Sequence, residues 1–291
     1  MTAQALIQVL ASGLLMGLIY ALIAVGLSLI FGLMDVVNFA HGEFLMIAMY
    51  ATFGLVLWTT LDPIVVAPLV VGLMFCVGAF VYVAVVRYAM RTKANAGMVQ
   101  IFSTFGLAIL IQGGAQYFFT PDYRSIKTSW LGGHTLDLAG IFLPWPQIYG
   151  GLISIAAFAA LSLISRTDFG KALEATREDQ GAVALVGINR NKVFAVGWGL
   201  GAALVGLAGT VLAIFYYIHP QVGATFGTIA YVTVALGGFG SVFGALVAGV
   251  IVGLVEAITA LILPPTMKAV GIYALYLAVV FFRPSGLFGK L

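Results

Sequence analysis

The residues able to do chemistry in this sequence are few, and most stand alone among apolar neighbours. Between two long apolar runs the stretch 31–43 (FGLMDVVNFAHGE) carries Asp35, Asn38, His41 and Glu43, and a lone Glu256 interrupts a later run. An ionisable side chain at the centre of a membrane span costs about 2.5–3.5 kcal/mol on insertion scales, so such groups face a cavity or a partner. Asn38, His41, Glu43 and Glu256 are therefore candidates for lining a path. The competing readings place Glu43 at an interface and pair Glu256 with a neighbour or let it snorkel. Catalysis has little to work with. His41, His134 and His219 form no His-Glu-x-x-His zinc pair, and neither Gly170-Lys171 nor Gly289-Lys290 sits in a phosphate-loop frame. There is no Gly-x-Ser-x-Gly elbow. His41 and Glu43 are the sole acid–base pair an intramembrane enzyme could use, so that class ranks third for want of a nucleophile or metal site. No catalytic residue and no metal ligand is assigned.

The elements that must position these groups are membrane helices. Of 291 residues 62% are hydrophobic and 8% charged, against about 25% charged in an ordinary soluble domain. Such a chain can neither solvate a globular surface nor remain disordered. Long unbroken apolar runs, rather than ten-residue alternating segments, exclude an outer-membrane barrel. Apolar segments lie near 6–34, 43–60, 64–86, 97–119, 146–165, 192–217, 225–237, 242–263 and 269–282. The expectation is an all-α, polytopic transmembrane bundle forming a single domain over 1–291. It has about eight full spans plus a short half-helix and other broken segments. The N-terminus lacks a basic n-region, so the first helix reads as a retained span. The single Cys76 cannot form an internal disulfide.

Segment 225–237 is too short to cross about 30 Å at 1.5 Å per residue. It ends at Gly237-Gly238-Phe239-Gly240. A backbone break at membrane depth is tolerated where it is buried in protein or lines a cavity, which makes Gly237 and Gly238 path candidates. The alternative is that these glycines only let helices approach, as do Gly13/Gly17, Gly197/Gly201, Gly240/Gly244 and Gly249/Gly253 at four-residue spacing.

Charge placement sets the expected orientation. Arg87, Arg91, Lys93, Arg166, Lys171, Arg177, Arg190, Lys192, Arg283 and Lys290 fall on one side of the span pattern, and Arg124, Lys127 and Lys268 on the other. The positive-inside rule then puts the N-terminus outside and the C-terminus in the cytoplasm. Residues 166–192 (RTDFGKALEATREDQGAVALVGINRNK) form the longest segment on the basic side. Asp168 is placed to cap a helix whose Lys171, Glu174 and Arg177 share one face. Such a surface helix suits docking into a partner's groove; a solvated connector is the other reading.

Three motifs in order, Asn38-Phe39-Ala40-His41-Gly42-Glu43-Phe44, Gly170-Lys171-Ala172 through Glu178-Asp179 to Val186-Gly187-Ile188-Asn189, and Ala235-Leu236-Gly237-Gly238-Phe239-Gly240-Ser241, resemble the membrane permease subunits of bacterial branched-chain amino-acid ABC importers, the LivH-like type. The likeness runs over nearly the whole chain, including the Arg-Pro-Ser-Gly-Leu-Phe-Gly ending. It implies a multi-pass protein of the bacterial inner membrane that carries branched-chain or other small amino acids. Similar permeases carry urea or short amides. It implies a homologous second permease (LivM-like), two cytoplasmic ATPase subunits that use ATP and magnesium, and a periplasmic substrate-binding protein, besides membrane lipid. It implies no cofactor on this chain and no nucleic-acid partner. The ATPase-coupling segment is expected at about 166–192, with Glu174, Ala175, Arg177, Glu178, Asp179, Gly181 and Gly187 in it. Glu174-Ala175-Thr176 followed by Gly181 departs from the loose Glu-Ala-Ala…Gly docking motif of ABC importers in its third residue and by one position. A self-contained secondary transporter would explain the broken segments equally well, but has no need of the 166–192 helix.

Overall fold

The computed structural model describes residues 3–35, 37–91, 95–138, 140–179 and 181–289; Lys93 and Lys290 lie outside them. In chain order the helices are α1 (Ala3–Met34), α2 (His41–Thr59), α3 (Pro63–Val81, continued through a π turn to Ala89), α4 (Ala96–Phe119), α5 (Trp145–Ser165), α6 (Asp168–Glu178), α7 (Ala182–Leu185), α8 (Arg190–Phe215), α9 (Val222–Gly237), α10 (Val242–Ile262) and α11 (Ala269–Phe282). Between α4 and α5 a small antiparallel hairpin, β1 (Thr135–Leu138) and β2 (Ile141–Pro144), pairs Leu138 with Ile141. Among the described residues eight helices are long and apolar enough to cross a membrane, α11 being counted with the 3-10 turn before it as Pro265–Phe282, and α9 is the shorter apolar one. The chain is thus a polytopic all-α bundle, with boundaries within three residues of the hydropathic reading. That reading lacks the hairpin.

Polar caps start the helices where sequence punctuation permits. Asp62 accepts from Ile64 N at 2.9 Å with Pro63 as the first helical residue, an arrangement that uses proline's missing N–H and fixed φ. Ser241 accepts from Gly244 N to open α10, and Asn189 from Asn191 N to open α8.

The centre of the bundle is the crossing of α1 and α8, the two most enclosed helices. They meet at Gly26 and Gly201, where a methyl on either residue would lie 2.6–2.7 Å from the other's carbonyl oxygen. α10 runs antiparallel along α1 through Gly13, Gly17 and Gly249, and α3 runs antiparallel along α8 through Gly78, Ala202 and Gly206. Backbones approach this closely only over small residues, which is what the four-residue glycine spacing supplies.

The two triplets α1–α2–α3 and α8–α9–α10 are arranged alike with opposite direction along the bundle. In each, a long central helix is followed by one that begins part-way along the bundle, then by a helix packed on the other triplet's first member. Gly42, Tyr50, Thr52 and Leu55 in α2 recur at the same spacing as Gly223, Tyr231, Thr233 and Leu236 in α9.

The bundle has two distinguishable ends. At one, the hairpin lies beside the start of α1, with Gln8 Nε2 donating to the Phe142 carbonyl at 2.5 Å. At the other lie α6 and the C-terminal tail, where Leu287 N donates to the Leu236 carbonyl at 2.8 Å. The first and last described residues therefore fall on opposite faces.

Candidate functional site

α1 ends at Met34, and the chain then folds back before α2 begins. Asp35 takes a left-handed conformation (φ 53°) at this reversal. As a result His41 is level not with the end of α1 but with its interior. Its Nε2 lies 2.9 Å from the Ile23 carbonyl oxygen. A carbonyl only accepts, so Nε2 carries the proton and Nδ1, which has no partner, is an acceptor in the neutral ring. Asn38 Oδ1 accepts from Ala40 N at 3.0 Å, and its buried Nδ2 is unpartnered.

α9 likewise begins inside the bundle, after residues 216–221 turn inward from the end of α8. Ile218 there pairs with Arg124 through both backbone hydrogen bonds, 2.9 and 2.8 Å. The starts of α2 and α9 meet. A methyl at Gly42 would overlap the Gly223 carbonyl, and one at Gly223 would lie 2.7 Å from Glu43 Oε2. Glu43 is 6% exposed, and Oε2 is unpartnered. Tyr231, from the middle of α9, closes the cluster by donating to the Phe39 carbonyl at 2.8 Å. Phe39 N donates to Thr104 of α4 at 3.3 Å. Asn38, His41 and Glu43 thus lie in one junction, as their sequence spacing suggests. Gly223 and Tyr231 belong to it too, and the only sequence signal for them is the spacing they share with Gly42 and Tyr50.

Glu256 is elsewhere. Its Oε2 accepts from Tyr20 OH at 2.6 Å, and its Oε1 lies 2.7 Å from Lys268 Nζ. This triad joins α1, α10 and the turn before α11, and both carboxylate oxygens are occupied. Gly237 and Gly238 also lie apart from the junction. Gly238 (φ 100°) and Gly240 (φ 75°) make the turn from α9 into α10, in backbone conformations that β-carbon-bearing residues rarely adopt. That turn is level with the last turn of α1, packed on the C-terminal tail through Phe288 N and the Gly237 carbonyl. The interruptions inside the bundle are instead the starts of α2 and α9.

The basic-side segment forms two helices. Thr167, not Asp168, caps α6, accepting from Gly170 N at 3.3 Å. Asp168 is the first helical residue, where its charge favours the helix dipole. Its 3.7 Å pairing with Lys171 is fully solvated and contributes little. Asp179 accepts from Gly181 N at 2.7 Å and Ala182 N at 2.9 Å, fixing the turn into α7. The Ala182 and Gly181 N–H groups hold its carboxyl below the usual carboxylate range.

α6 lies across the end of the bundle. Its Arg177 guanidinium sits 3.1 Å from where a Gly240 Cβ would stand and 3.5 Å from that of Gly32, so one side chain touches both the end of α1 and the α9–α10 turn. A cleft of about 690 Å³ between α1, α5, α6 and α10 has Ser28, Phe158, Glu174, Arg177 and Leu246 in its walls. Beyond α6, Leu185 and Val186 are 89% and 74% exposed. Gly187 (φ 81°) follows them and turns the chain toward α8.

Enclosed helix starts, buried polar groups without partners and a charged helix laid across one end define a multi-pass membrane transport protein. The family model described as "Branched-chain amino acid transport system / permease component" matches residues 9–280. The chain belongs to that family. It is 31% identical to the high-affinity branched-chain amino acid transport system permease protein BraD of Pseudomonas aeruginosa, over 98% of this chain and 96% of BraD. It is 30% identical to the corresponding LivH of Escherichia coli strain K12 over the same shares. To the probable branched-chain amino acid transport permease protein LivH of Methanocaldococcus jannaschii it is 24% identical over 86% of this chain. No solved structure matches the chain.

Proposed function

We propose that this chain is the membrane permease subunit of an ATP-driven importer of branched-chain amino acids. It works with a homologous second permease (LivM-like), two cytoplasmic ATPases and a periplasmic binding protein, and it binds no cofactor itself. Full-length similarity to permeases of that named substrate class supports the substrate. The N-terminus is periplasmic and the C-terminus cytoplasmic, because eight of the described basic residues lie at the α6 end and three at the hairpin end.

The observation that carries the reading is α6 and α7. An importer powered from outside needs a rigid element that receives motion and passes it to membrane helices. α6 has an inner side fixed to the bundle, where Gly170 abuts the Ile164 carbonyl and Thr176 is buried. Glu178 and Asp179 at its end are exposed to solvent, Glu174 and Arg177 line the cleft toward the bundle, and the exposed Leu185 and Val186 follow at the end of α7. Apolar side chains displayed beyond the spans, rimmed by charge, fit a protein groove better than water. Half-buried Ala175 and the turn at Gly181 belong to the same coupling unit, and Gly187 lets it bend before α8. Within the membrane the Asn38, His41 and Glu43 junction is assigned to the substrate path. Gly237 and Gly238 serve it as the hinge turn below α9, and Glu256 serves as a tie holding α1, α10 and α11.

Replacing Leu185 and Val186 together with Asp tests the coupling role, since both side chains are exposed and the bundle does not depend on them. The importer isolated from membranes should retain the permease at wild-type level but lose most of its copurifying ATPase and its substrate-stimulated ATP hydrolysis. Wild-type values of both would show that α7 is not a docking surface.

A further inference from the structure

The junction of α2 and α9 holds more hydrogen-bonding capacity than the protein itself satisfies. In the first turn of α2, His41 N bonds to Asn38 O and Phe44 N to Ala40 O, which leaves the Gly42 amide without an acceptor. In α9, Val222 N bonds to His219 O, and the Gly223 amide is left in the same way. Two helix starts therefore bring unpaired N–H groups and the positive ends of two helix dipoles to one enclosed point. Helix N-termini of 19 and 16 residues would not suffice alone. Glu43 Oε2 and Asn38 Nδ2 supply the independent sign: both atoms are buried, both lack partners, and Glu43 points at the first turn of α9. A buried polar group without a hydrogen bond is destabilising, and several lie together here.

We infer that this junction holds the amino-acid substrate in transit, Glu43 receiving its ammonium group and the Gly42 and Gly223 amides with Asn38 Nδ2 receiving its carboxylate. The inference rests on the reading of this chain as an amino-acid permease. A zwitterion is the ligand class that uses both halves of the junction: a carboxylate satisfies amides at helix starts, and an ammonium satisfies a lone carboxylate oxygen. A neutral amide such as urea would leave Glu43 without a counter-charge. The junction is shut in this structure, because Gly42 and Gly223 touch. Opening it requires the starts of α2 and α9 to part. The route for that motion is on the same helix, since α9 ends at the Gly240 turn against which Arg177 of α6 is seated.

The test uses the whole importer in proteoliposomes, with its binding protein and internal ATP, and L-leucine as the probe. Glu43→Gln should assemble with its ATPases while L-leucine uptake falls about tenfold or more, the loss expected when one charge-assisted hydrogen bond is removed. Asn38→Asp keeps the oxygen that caps Ala40 N but sets a negative charge against the substrate carboxylate, and should lower uptake similarly. It also serves as the reporter if Glu43→Gln fails to assemble. As a measure of contact rather than structure, Glu43→Cys in a background lacking Cys76 should react with a small thiol reagent more slowly when binding protein, ATP and saturating L-leucine are present than when L-leucine is left out. Wild-type uptake in the charge variants, or labelling of the cysteine that L-leucine leaves unchanged, overturns the site. A wild-type importer that hydrolyses ATP but moves no L-leucine overturns the amino-acid reading instead, so the two failures are distinguishable.

Discussion

Two glutamates in this bundle show how one residue type is put to different uses. Glu43 keeps an oxygen without a partner, whereas Glu256 spends one oxygen on Tyr20 and the other on Lys268. Both were legible in the sequence as charges inside apolar runs. Their difference was not, because Tyr20 reaches Glu256 across 236 positions. Asn38, His41 and Glu43 could be grouped from sequence because a single chain reversal carries all three. Glu256→Gln removes the charge that Lys268 answers while leaving an oxygen for Tyr20. Lys268 is 45% exposed, so water takes over part of the lost interaction, and the destabilisation should be about 1–2 kcal/mol. Pairing the change with Lys268→Met in a double-mutant cycle, read by thermal unfolding of the detergent-solubilised chain, should show a favourable coupling between the two sites. L-leucine uptake per folded permease should stay near wild type; a large drop with stability intact would return Glu256 to the substrate path.

At the scale of elements, hydropathy located every span because length and apolarity are local properties. The depth at which each helix begins is set by packing. The Gly237-Gly238-x-Gly240 break looked like an interruption inside the membrane, yet α9 runs on to the level of the end of α1 before turning. Its short length is accounted for at the other end, where residues 216–221 fold inward and are held by Ile218 on Arg124. The hairpin over Thr135–Pro144 escaped notice because four-residue strands leave almost no alternating pattern. In the α6–α7 pair, the turn depends on the Asp179 carboxylate accepting from Gly181 and Ala182. Its folded pKa is lowered, so its contribution is fully present above the ordinary carboxyl value of 3.8 and is lost as pH falls through the lowered folded value. Amide hydrogen exchange at Gly181 and Ala182, corrected for intrinsic rates, should therefore lose protection on acidification below that ordinary value. Asp179→Ala should show the same loss at neutral pH. Equal protection in the variant at neutral pH would mean that the turn is held by packing instead.

The whole molecule is a pair of oppositely directed helix triplets, with α4, the hairpin and α5 to α7 inserted between them and α11 after the second. That insertion makes the two faces chemically unlike. Arg87, Arg91, Arg166, Lys171, Arg177, Arg190, Lys192 and Arg283 lie at the α6 end, and Arg124, Lys127 and Lys268 at the hairpin end. Internal packing does not distinguish inside from outside, because a bundle built of inverted halves buries its helices equally well either way up. Orientation is settled by the loops, through the cost of translocating basic residues during insertion. Reporters must then be exposed, which rules out Thr176 although it lies in the right segment, since it is fully buried on the inner side of α6. Ser125 at the hairpin end and Glu178 at the end of α6 both face solvent. With Cys76 replaced by Ser, a single cysteine at Ser125 should react with a membrane-impermeant thiol reagent added to intact cells. A single cysteine at Glu178 should react only after the membrane is made permeable. The reverse pattern would invert the protein in the membrane and place α6 and α7 where no cytoplasmic ATPase could reach them.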